Sequence, residues 1–73
     1  MPERTDWEKR AAAILKAELK RSGVTYAQLV HKLAAIGVVE VEANVRNKLS
    51  RGKFSAAFLI QCLDAIGIHD LRL

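Results

Sequence analysis

The stretch Glu42-Ala43-Asn44-Val45-Arg46-Asn47-Lys48-Leu49-Ser50-Arg51-Gly52 decides the fold, because it reads as a helix with few apolar positions. Val45 and Leu49 make a single i, i+4 apolar pair, and Gly52 supplies the stop. Glu42 stands at the start while Arg46, Lys48 and Arg51 lie toward the end, as the helix dipole favours. A core helix of a small bundle normally gives about three of every seven positions to the interior. This one leaves Asn44, Arg46, Asn47, Lys48 and Ser50 to face outward, so it belongs at a surface.

Working outward, Thr25-Tyr26-Ala27-Gln28 is a capping box, followed by an apolar stripe of Tyr26, Leu29, Val30, Leu33 and Ile36 that stops at Gly37. Thr5-Asp6-Trp7-Glu8 carries the same grammar, and Trp7, Ala11, Ile14, Leu15 and Leu19 recur at helical steps before Ser22-Gly23. Trp7 is read as an anchor in the core. On the other side, Phe54-Ser55 places a hydrophobic residue before an N-cap, with Leu59 set to close a staple on Phe54. The stripe that follows is Phe58, Leu59, Cys62, Leu63 and Ile66, closed by Gly67-Ile68. Between Gly37 and Val41 a lone strand would lack a partner, so Val38 to Val41 is read as a turn. The tail apolar residues Ile68, Leu71 and Leu73 either extend against the core or pair with a second chain. The spacing therefore predicts an all-α fold. It is a compact four-helix domain with helices at about 6–21, 26–36, 42–51 and 56–66, a short C-terminal tail, and a single domain over 1–73.

Composition narrows the function. Seventy-three residues allow one small core, and 51% hydrophobic with 27% charged residues excludes a disordered chain. A core of this size contributes roughly 3–5 kcal/mol of net stability, which makes a homodimer contact a natural supplement. Twelve Lys and Arg against eight Asp and Glu give +4, and the pI is near 9.6. Residues 42–53 hold four basic residues and one acid, so three of those units are concentrated there. Cys62 is the single cysteine, and neither it nor His31 and His69 falls in a metal-site spacing. Cys62 is read as a small buried hydrophobe. No nucleophile paired with a base, phosphate loop or cofactor motif is evident, so neither enzyme activity, a cofactor nor a small-molecule ligand is expected. No apolar run approaches a membrane span, and the reading is of a cytoplasmic, nucleoid-associated protein.

The outward residues of the 42–51 helix match the major-groove code. Arg bonds bidentately to guanine and Asn to adenine, and N-terminal residues of such a helix reach bases first. Asn44, Arg46 and Asn47 are the expected base contacts. Lys48, Ser50, Arg51 and Lys53 are the expected contacts to the DNA backbone, joined by Thr25 and Tyr26 at the start of the second helix.

These residues carry a resemblance. From Thr25 onward the chain resembles the lambda-repressor-like helix-turn-helix domains of the xenobiotic-response-element type. Thr25 to Val30 looks like that family's second helix, Leu49-Ser50-Arg51-Gly52 like its closing Leu-x-x-Gly, and Phe54 to Ile68 like its fourth helix. Tyr26 and Val30 depart from the usual Gln and Ala, and Gly37 replaces a turn glycine expected at Ala34. About three additional residues therefore separate the second and third helices, lengthening either the helix or the turn. The whole chain also resembles, more closely, a bacterial family of small domains of unknown function. The resemblance implies a compact helical DNA-binding fold, and with the outward residues of the 42–51 helix the expectation is a sequence-specific DNA-binding protein, a bacterial transcriptional regulator acting on double-stranded DNA as a homodimer. The alternative is a protein-protein adaptor or antitoxin-like module that binds an acidic partner, which an uncovered patch of Val38, Val39 and Val41 would favour.

Overall fold

Capping chemistry sets the helix boundaries. The computed structural model describes residues 4–71 and 73, and within them the chain forms α1 (Arg4–Ser22), α2 (Tyr26–Ala35), α3 (Glu42–Arg51) and α4 (Ala56–Ala65). Thr25 caps α2 reciprocally: the Gln28 amide donates to Thr25 Oγ1 at 3.1 Å and the Thr25 amide donates to Gln28 Oε1 at 2.9 Å. Ser55 caps α4, its Oγ accepting from the Phe58 amide at 3.0 Å. The capping box expected at Thr5 is corrected. α1 already begins at Arg4, and an N-cap residue needs non-helical backbone angles that Thr5 does not have. Its side chain lies outside the described part.

Leu15, Leu19, Leu29, Leu33, Val45, Leu49, Phe58, Cys62 and Leu63 form one buried cluster to which all four helices contribute. α3 and α4 each pack against both α1 and α2. The apolar face of α1 differs from the expected one. Ala12, Leu15 and Leu19 are buried, Glu8 meets the backbone at Gly52, and these four follow a 4–3–4 spacing along one side of the helix. Trp7 lies one residue, roughly 100° of helix turn, off that line. It is 54% exposed, with the Arg10 guanidinium 5.8 Å from its ring centroid, so it is not the core anchor expected. Ile36 is likewise exposed, because α2 ends at Ala35 and Ile36 already belongs to the turn.

The tail resolves toward the core. Ile68 and Leu71 pack on the main cluster, whereas Leu73 is exposed and its carbonyl accepts from Arg10 at 3.2 Å. α2 runs past the Ala34 position to Ala35, so part of the length added before α3 is helix, and the left-handed Gly37 turns the chain two residues later. The connection from Ile36 to Val41 contains no strand. Among the described residues no helix is long and apolar enough to cross a membrane.

Candidate nucleic-acid interface

α3 is held by a narrow seam and presents nearly everything else. Val45 and Leu49 are fully buried, while Asn44, Arg46, Asn47, Ser50 and Arg51 are exposed. All three expected base-contacting residues are exposed; Asn44 and Asn47 lie about 60° apart around the helix, and Arg46 lies about 160° from Asn44. Its N-cap is Val41, which makes no side-chain cap hydrogen bond. The first-turn amides thus lack the usual intramolecular acceptor and carry the positive end of the helix dipole. At the other end Gly52 is buried against the backbone of Glu8, which locks the end of α3 onto α1.

Charge pairing changes which cations are available. Arg46 meets Glu42 at 3.5 Å in an exposed i, i+4 pair. Such a pair is worth a few tenths of a kcal/mol, so an incoming acceptor can displace it. Lys48 differs. Its ammonium lies 2.7 Å from Glu40 Oε2 and 4.3 Å from the Phe58 ring centroid, turned back toward α4. This half-buried ammonium is engaged by a carboxylate and an aromatic face within the fold, so the backbone contact expected of Lys48 requires it to leave Glu40. Arg51 and Lys53 are exposed and have no ion-pair partner among the described residues.

Thr25 uses both its hydroxyl and its amide in the capping box, and Tyr26 is half-buried against the core. These two residues nevertheless line a shallow cleft together with Lys16 and Lys20 of α1. Both lysines are exposed and without ion-pair partners among the described residues. Along the sequence Lys16 and Lys20 fall only on the polar side of the α1 periodicity. Their i, i+4 spacing places them on one side of the helix, but only the packing of the helices brings that side beside the start of α2.

Residues 7–71 match the family described as "Domain of unknown function (DUF6471)". The chain belongs to this family. No curated protein and no solved structure matches it.

Within this DUF6471 domain Cys62 lies fully buried next to the Lys48–Glu40 pair. Burial pushes its thiol up to about 12, Glu40 adds to the rise, and Lys48 opposes it. The folded protein is therefore expected to resist thiol-specific labelling at pH 8, while the denatured chain reacts freely. Because the folded value is raised, this thiol stabilises the fold fully below an ordinary thiol value of about 8.5, and that contribution is lost as pH rises toward the folded value. Denaturant titrations between pH 8 and 10 check it: a Cys62→Ala variant should lose less stability over that interval than the parent. Equal slopes in the two proteins, or rapid labelling of the native state, would contradict the assignment.

Proposed function

We propose that this domain binds double-stranded DNA sequence-specifically as a bacterial transcriptional regulator, with α3 as the recognition helix of a lambda-repressor-like helix-turn-helix. The observation that carries the reading is the contrast along α3: Val45 and Leu49 fully buried, and Asn44, Arg46, Asn47, Ser50 and Arg51 all exposed. A helix entering a major groove needs a firm internal anchor and an outer face of bidentate donors and acceptors. Arg51 and Lys53 then hold phosphates near the end of α3, and Lys16, Lys20 and Tyr26 hold the flanking backbone. A homodimer would place two such helices about one helical turn of DNA apart, on a palindromic site.

Selection of bound duplexes from a random pool at two salt concentrations tests this. A recovered motif whose affinity falls steeply with salt supports the reading, and no salt-dependent binding to any duplex overturns it. Lys53→Ala is expected to weaken all sequences alike and to reduce the salt slope by about one. An unchanged slope would remove Lys53 from the backbone contacts.

One observation favours the second reading, an adaptor for an acidic protein partner. Val39 and Val41 are 90% and 55% exposed, although Val38 is packed on the core. Capture of an acidic polypeptide by a protein that binds no duplex would select the adaptor.

A further inference from the structure

The segment from Val38 to Val41 alternates inward and outward, but at 39–41 it places an acid inside and valines outside. Val38 packs on the core and Glu40 turns inward to accept from Lys48 at 2.7 Å. Between and after them Val39 and Val41 turn outward, 90% and 55% exposed. A charged residue is thus held inside while two β-branched hydrocarbons are displayed. A single exposed valine needs no explanation, but Val41 is also the N-cap of α3, where Asn, Asp, Ser or Thr is strongly preferred over Val. Local stability is given up twice in three residues. Departures of this kind concentrate where a surface has a task.

Three features say what covers the pair. Val41 precedes Asn44 by three residues, a rise of only ~4.5 Å along the helix, so a duplex edge touching Asn44 necessarily approaches Val41. The exposed hydrocarbon of the strip is that of two valine side chains, well short of the several hundred Å² of contiguous apolar surface that marks a protein interface. The strip contains no charge to desolvate, since the carboxylate of Glu40 is already paired on the inner side. The one apolar group that a base pair offers in the major groove is the 5-methyl of thymine. Resting on the DNA-binding reading, we infer that Val39 and Val41 form a thymine-reading strip, contacting 5-methyl groups beside the bases met by Asn44.

The test uses the full chain and the duplex recovered from the random pool. Each thymine is replaced in turn by deoxyuridine, which removes a methyl group and leaves every hydrogen-bonding atom in place. One or two replacements are expected to weaken binding about fourfold each, the worth of one buried methyl-sized group. A Val39→Ser, Val41→Asn variant is expected to bind the thymine duplex as weakly as the parent binds the deoxyuridine duplex, and to be indifferent to the replacement. Its melting temperature should not fall, because Asn caps α3 better than Val. Indifference of the parent to every deoxyuridine, or a recovered motif without an invariant thymine, overturns the inference while leaving DNA binding intact. Retained deoxyuridine sensitivity in the variant, with loss of self-association in sedimentation, would assign the strip to a second copy and overturn it too. Absence of binding to any duplex overturns the DNA reading itself and this inference with it.

Discussion

Gly52→Ala is expected to cost about 2–5 kcal/mol and to remove much or all of the stability of the domain. Two independent penalties add at this residue. Gly52 has φ +70, a left-handed conformation that costs an L-residue roughly 1–2 kcal/mol. A Cβ there would sit 2.5 Å from the carbonyl oxygen of Glu8 and 2.7 Å from its carbon. Both are backbone atoms of α1, so no rotamer change relieves the overlap, and overpacking of this kind costs about 1–3 kcal/mol more. A domain of this size has about 3–5 kcal/mol in total. Gly67 is the control: it has φ +77 but nothing within 4 Å of its Cβ position. Gly67→Ala should therefore lose only the conformational part, about 1–2 kcal/mol. Urea or thermal denaturation of the two variants measures the difference. Equal destabilisation would mean that α1 does not bear on Gly52.

The second large effect falls on binding rather than folding. Arg46→Ala and Asn47→Ala should each cost about 1–3 kcal/mol on the preferred duplex, and together about 2–6 if they act independently. Their base preferences should relax at two different positions. Both side chains are exposed, and Arg46 loses only a surface pair with Glu42, so melting temperatures should shift little. Competition binding against duplexes substituted at each position reads the outcome. A uniform loss on all sequences would move both residues from the base edges to the phosphates. Unchanged affinity would remove α3 from the interface.

Much of the fold was legible because helices announce themselves locally. Thr25 with Gln28, Ser55, and the paired Val45 and Leu49 are short-range patterns whose physics is complete within four or five residues, and the structure follows each. Trp7 was misplaced for a related reason. Periodicity defines an apolar arc on α1, but which edge of that arc is covered depends on where α3 and Gly52 arrive. The pairing of Lys48 is not legible in the sequence because its partners are Glu40, eight residues back, and Phe58 on the next helix. No helical spacing links them.

The candidate interface divides in the same way. The sequence alone determines four helices, their order, the thin seam of α3 and the residue types on its outer face, since capping, periodicity and charge are properties of neighbours along the chain. Tertiary structure alone decides that Lys48 faces inward and that Lys16 and Lys20 stand beside the start of α2. It also decides that Glu40 is turned in while Val39 and Val41 are turned out. Each depends on side chains from different helices occupying one place, and solvent exposure and ion pairing exist only after the core of Leu15, Leu29, Leu33, Val45 and Leu49 has brought those helices together.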